Sequence, residues 1–185
     1  MCVTYETCVY INLKQHSDIW ESIVTQWIKN NQKYLEENDF YDSTYWHNEM
    51  ANVSCLVGAI WKVGGVAIAE YTTTKSDVEN NNRTDLYFSI GGVKYLVEAK
   101  YLRDAVTKEN IENKMKEAVS DCCSIRNQDI ENKMALVFVS PTDDNCLPDL
   151  ENCDIKVLLK INGKTDLNYA KQSYNRIYLF GKYVE

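Results

Sequence analysis

Arg83-Thr84-Asp85-Leu86-Tyr87-Phe88-Ser89-Ile90-Gly91-Gly92-Val93-Lys94-Tyr95-Leu96-Val97-Glu98-Ala99-Lys100 reads as a β-hairpin. Two runs rich in β-branched and aromatic residues flank a Gly-Gly pair. A two-residue primed turn needs positive φ at its centre, which glycine tolerates. With Gly91 and Gly92 as that turn, Ile90 falls opposite Val93 and the register follows by counting outward. Phe88 then faces Tyr95, Leu86 faces Val97 and Thr84 faces Ala99 on a largely apolar side. On the other side Tyr87 meets Leu96, Asp85 meets Glu98 and Arg83 meets Lys100.

This register sets two carboxylates directly opposite each other, with Cβ atoms about 4.5–5.5 Å apart. Like charges so placed are destabilising unless something positive lies between them. A divalent cation is one solution, and Mg²⁺ prefers hard oxygen ligands. Lys100 lies two residues after Glu98 and so points to the same face. Two acids and a lysine are the minimum parts for metal-assisted phosphodiester hydrolysis. The acids hold a metal that helps generate hydroxide, and the lysine orients the water or stabilises developing charge. The plainer alternative is a solvated face carrying a salt-bridge ladder, with Asp85 paired diagonally to Lys100 and Glu98 to Arg83.

Asp85, the hairpin, then Glu98-Ala99-Lys100 resembles the bipartite signature of the PD-(D/E)XK nuclease superfamily. The resemblance implies an α/β fold with a restriction-endonuclease-like core, a mixed central sheet flanked by helices in the order α-β-β-β-α-β. It also implies Mg²⁺-dependent cleavage of nucleic acid, with DNA as the expected substrate and Mn²⁺ able to substitute. On that analogy Asp85 and Glu98 are metal ligands, Lys100 is the catalytic lysine, and the Ala99 carbonyl also touches the metal. Thr84 stands where the superfamily's name has proline. Many nucleases of this type cut both strands as dimers, so a homodimer follows by the same analogy.

The chain around the hairpin sets bounds on this reading. Its 185 residues suit one domain over 1–185, and 45% hydrophobic with 25% charged residues is ordinary globular composition. No apolar run approaches the ~20 residues needed to span a bilayer, so a membrane partner is not expected. The N-terminus lacks the charged and apolar regions of a signal peptide. Seven cysteines, an odd number with Cys122 and Cys123 adjacent, do not form a disulfide framework. A reducing cytoplasm fits them better. Cys146 and Cys153 lack zinc spacing, and neither His16 nor His47 belongs to a zinc or triad pattern. Neither a Walker-type phosphate loop nor a GxGxxG fingerprint occurs. The net charge of −7 argues mildly against nucleic acid. Charge is screened within about 8–10 Å at physiological salt, so a local basic rim can coexist with an acidic body.

Hydrophobic periodicity places the remaining elements. Trp20, Ile23, Val24, Trp27 and Ile28 predict a core-facing helix started by Ser17 or Asp18, with Glu21 placed to reach back. A second helix is expected from about Thr44 to Lys62, with Trp46, Met50, Val53, Leu56, Val57 and Ile60 on its apolar face. Glu49 falls on that stripe, where an inward carboxylate needs a partner or a metal. It resembles the auxiliary glutamate that several families of the superfamily carry on the helix before the sheet. The alternative is an edge glutamate near a helix start. Val66 to Thr72 reads as a strand apolar on both faces, hence central and covered. Glu70, near its exit, is either a third acid or a salt-bridge partner for Arg83 or Lys100. Asn80-Asn81-Asn82 reads as a loop.

Residues 101–106 form a connection in this reading. A helix capped by Thr107 runs from about Lys108 to Ser124, burying Ile111, Met115, Ala118, Val119 and Cys122. Met134 to Ser140 is a buried strand reached by helical crossover, and strands follow at Ile155–Lys160 and Arg176–Phe180. The parts are thus an N-terminal helical portion (about 17–62), a catalytic core (about 44–140) and C-terminal strands (about 154–182). The expected function is a metal-dependent nuclease in which Asp85, Glu98 and Lys100 act with Glu49 and Glu70 as auxiliary acids. Its rival is a non-catalytic binding or protein-interaction module that keeps the same core.

Overall fold

The computed structural model describes residues 3–75, 82–127, 129–141, 150–162, 168–169, 172–173 and 175–185. In chain order the elements are β1 (Thr4–Ile11), α1 (Ser17–Glu37), α2 (Thr44–His47), α3 (Glu49–Lys62), β2 (Val66–Lys75), β3 (Asn82–Ile90) and β4 (Val93–Leu102). There follow α4 (Lys108–Ser124), β5 (Ile125–Arg126), β6 (Asn132–Val139), β7 (Ile155–Asn162), β8 (Asn168–Tyr169), β9 (Gln172–Ser173) and β10 (Arg176–Val184). The protein is α/β. Its mixed sheet has the strand order β1-β7-β10-β6-β4-β3-β2-β5, and β8 and β9 pair separately.

The hairpin forms the middle of this sheet. Gly91 and Gly92 both have positive φ (59° and 84°), the backbone of a type I′ turn. The β3–β4 register runs from Ile90↔Val93 through Phe88↔Tyr95 to Leu86↔Val97, as counted from the turn. β4 then pairs with β6 in parallel, joined through α4. Parallel neighbours need such a crossover, and an amphipathic helix supplies it while covering the sheet.

Two layers of helix enclose the sheet. On one face α1 and α3 pack Trp20, Trp27, Leu56 and Ile60 against Phe88, Tyr95, Leu136 and Phe138. Trp20 meets Phe88 and Tyr95 edge-on, with centroids 5.5 Å away in each case. On the other face α4 buries Ile111, Met115, Ala118 and Cys122 against Ala135, Val137 and Val139. The alternation along β6 therefore feeds both cores. The cap is as expected, since the Thr107 hydroxyl accepts from the Asn110 amide at 3.2 Å. Its outer face carries Lys108–Glu112 and Lys114–Glu117 ion pairs.

Several expectations need correction. The N-cap of the first helix is His16, in the left-handed region and without a side-chain cap bond, instead of Ser17 or Asp18, which lie inside the helix. The helix expected over 44–62 is two helices. Asn48 is extended between them, and its side chain accepts from Ala51 N at 2.9 Å, restarting the chain as α3. Met50 is consequently 40% exposed instead of core-facing. β2 is not covered on both faces, because it lies next to the sheet's edge strand β5, which pairs only with Thr74 and Lys75. Val66 and Ile68 are 46% and 54% exposed. β4 continues through Tyr101 and Leu102, so the connection to α4 is shorter than expected. β1 was not expected at all and pairs antiparallel with β7 along the other edge. Asn82 opens β3, whereas Asn80, Asn81, Cys146 and Pro148 lie outside the described residues.

Truncating Trp20, fully buried between α1 and the hairpin, is expected to cost about 3–5 kcal/mol in urea unfolding. Thr107→Ala should cost about 1 kcal/mol in the same measurement through loss of the α4 cap.

Candidate active site

Where β3 and β4 leave the turn behind, their pairing stops at Leu86 and Val97. By register the next hydrogen-bonded pair is Thr84 with Ala99. Instead the Ala99 amide donates to Asp85 Oδ2 at 2.6 Å. The Thr84 hydroxyl donates to the Val97 carbonyl at 2.9 Å. Side chains have replaced a backbone rung. Asp85 is therefore anchored on β4 beside Glu98 and Lys100, but not by the direct Asp85–Glu98, Thr84–Ala99 and Arg83–Lys100 pairings that the ideal register predicts.

Glu98 and Lys100 share the face of β4 that α4 covers. Glu98 is 2% exposed. Its backbone and charge both act on the Cys122 thiol of α4, which burial pushes up to about 12. Lys100 is half-buried, and its ammonium sits 2.7 Å from Asp121 Oδ2, in the last turn of α4. Burial opposes the Lys100 charge. The bond to Asp121 and the charges of Asp121, Asp85 and Glu49 outweigh it and hold the ammonium above its ordinary value.

Glu49 arrives from a different part of the chain. It is the first residue of α3, and its carboxylate accepts from the Tyr101 amide of β4. The segment is fastened there because the Tyr101 hydroxyl donates to the Tyr45 carbonyl at 2.6 Å. Arg103 adds to this by stacking over Trp46 at 5.4 Å from the ring centroid. Burial raises the Glu49 carboxyl, and the neighbouring Asp85 charge raises it further. Lys100, Lys114 and the Tyr101 amide offset this only in part.

Glu49, Asp85, Glu98 and Lys100 thus occupy one region, at the α3 N-terminus and the ends of β3 and β4. Glu70 stands across from Asp85 in the β2–β3 register, between the pairs Ala69↔Leu86 and Tyr71↔Thr84. Its side chain takes Arg83 at 3.2 Å. Its φ of +54° is costly for a residue with a Cβ. The diagonal ladder Asp85–Lys100 and Glu98–Arg83 gives way to Lys100–Asp121 and Arg83–Glu70. Sequence reasoning missed Asp121 and Tyr101. An acid in the last turn of a helix runs against the helix dipole, and that was the available signal for Asp121.

The donor set suits a hard divalent cation in kind: carboxylates on Asp85 and Glu98, with the Ala99 carbonyl between Glu98 and Lys100. Among the described residues no three His, Cys, Asp or Glu groups close into a metal-ligating cluster. Mg²⁺ does not require one, because it is commonly held through one or two carboxylates and keeps several waters. No helix among the described residues is long and apolar enough to cross a membrane. No family model, curated protein or solved structure matches the chain.

The raised Glu49 carboxyl has a definite linkage sign. The folded state binds this proton more tightly than the unfolded chain, so the contribution is present below about pH 4.5 and lost as pH rises through the folded value. Glu49→Gln should therefore melt higher than wild type at neutral pH, and the gap should close as pH falls toward 4.5.

Proposed function

We propose that the chain is a metal-dependent phosphodiesterase acting on nucleic acid, most plainly DNA, built on a restriction-endonuclease-like core. The observation that carries the reading is the meeting of Glu49, Asp85, Glu98 and Lys100 at one end of β3 and β4. These residues come from three separate elements. Apart from the two-residue β5 between α4 and β6, the order α3-β2-β3-β4-α4-β6, with β4 and β6 parallel, matches the core that the signature implies. Backbone strain at Glu70, beside Asp85, also fits a site, since residues held in costly φ/ψ regions cluster where chemistry occurs.

In this reading Asp85, Glu98 and the Ala99 carbonyl hold Mg²⁺, or Mn²⁺ in its place. The bound ion supplies Lewis acidity and charge neutralisation at the scissile phosphate. The protein's own groups position the rest. Asp85 is fixed by the Ala99 amide, so its free rotation is already spent before any ligand arrives. Lys100 presents a fixed positive charge to the attacking water and to the charge that develops on phosphate oxygens. Glu49, with its raised carboxyl, is suited to accept or hold a proton at the edge of the site. The free thiols at Cys8, Cys55, Cys122, Cys123 and Cys153 support a reducing compartment such as the cytoplasm.

A non-catalytic interaction module is the second reading, and a specific observation favours it. Trp61, Val66 and Ile68 are all about half exposed around the outer part of β2, where the Trp61 indole donates to the Ala67 carbonyl. Exposed apolar groups gathered in this way mark contact surfaces.

Plasmid and single-stranded DNA and RNA should be incubated with the full chain and Mg²⁺ or Mn²⁺. Metal-dependent cleavage is expected, falling by about 10²-fold or more in Lys100→Ala and Asp85→Ala. A metal that binds the native state should also raise apparent stability, by about 2.7 kcal/mol at a hundredfold excess over Kd. Cleavage insensitive to both substitutions would count against the site assignment, and no cleavage together with no metal effect on melting would favour the interaction module.

A further inference from the structure

We infer that Asp121 is a positioning residue that latches the Lys100 ammonium against α4 and so keeps Asp85 and Glu98 available to a divalent cation. The inference rests on the metal-dependent reading above and adds a residue which the signature does not contain. Lys100 touches Asp121 on α4, and the charges of Asp85 on β3 and Glu49 on α3 also act on it. A lysine ammonium is a compact charge on a flexible stem, so it will pair with whichever carboxylate holds it best. If it settled between Asp85 and Glu49 it would neutralise the charge that must attract a cation. The contact with Asp121 at 2.7 Å decides the competition.

The place of Asp121 on α4 fits this contact. Asp121 lies in the last turn of α4, which has no basic residue of its own to offset the unfavourable dipole. Compensation comes from β4. On the same side of α4, seven residues earlier, Lys114 adds positive potential at Glu49. α4 therefore holds an anion in contact with Lys100, while Lys114, itself paired with Glu117 at 2.6 Å, contributes positive potential at Glu49. This pattern draws the ammonium toward α4.

Mn²⁺ binding to the full chain, measured by titration calorimetry and by melting shift, tests the latch. Asp121→Asn should weaken Mn²⁺ binding about tenfold, a coupling ordinary for residues in one ion-pair network. Asp121→Glu should largely restore it. The double variant Asp121→Asn/Lys100→Met should bind at least as well as wild type, because the competing ammonium has gone. A purely structural role for Asp121 would leave the double variant as weak as the single one. That result, or wild-type binding by Asp121→Asn, would overturn the inference while leaving the metal reading intact. Absence of Mn²⁺ binding by wild type would overturn both.

Discussion

The Ala99 amide has two candidate acceptors, the Thr84 carbonyl that the hairpin register offers and the Asp85 carboxylate. It takes the carboxylate. A charge-assisted bond is roughly twice as strong as a neutral one, so the exchange is favourable even though a rung of the ladder is given up. The consequence is geometric. β3 and β4 remain paired from the turn to Leu86 and Val97, and beyond that point Asp85 reaches across to β4. An uninterrupted ladder would have left its carboxylate beside the strand.

Charge then organises the neighbourhood. Several acids converge where the sheet meets α3 and α4, and such a gathering is unfavourable unless compensated. Lys100 compensates it from within the cluster and Lys114 from α4. The balance is incomplete at Glu49, whose carboxyl stays above its ordinary value. It is more than complete at Lys100, which keeps its charge despite burial. Groups with environments that pull their proton affinities in this way are the ones suited to chemistry, and structural ion-pair networks can share the trait. The same contacts hold the architecture together, since Tyr101 both orients Glu49 through its amide and fastens α2 through its hydroxyl.

Elements with a strong local pattern were legible in the sequence. The Gly91–Gly92 turn, the register from it as far as Leu86 and Val97, the Thr107 cap and the buried stripe of α4 all follow from short-range rules. Those rules concern φ preference, side-chain alternation and helical period. The strand β1 was harder to read because most of its side chains are exposed and alternation therefore fades. The break at Asn48 was hidden by apolar residues that continue a helical spacing across it. The exposure of β2 depended on its place in the sheet order, which a run of apolar residues does not encode.

The sequence by itself determined that an acid, a hairpin and a Glu-Ala-Lys stretch would come together, because the turn brings Asp85 and Glu98 near whatever the rest of the chain does. Only the tertiary structure decided what each charge would touch. Asp85 turned to a backbone amide, Lys100 to Asp121 and Arg83 to Glu70. Glu49 joined the site through α3 packing on the sheet. The physical reason is that a turn fixes neighbours a few residues apart. Ion-pair partners are instead chosen among all groups that packing brings within a few ångströms, and the choice goes to whichever arrangement leaves the least charge buried and uncompensated.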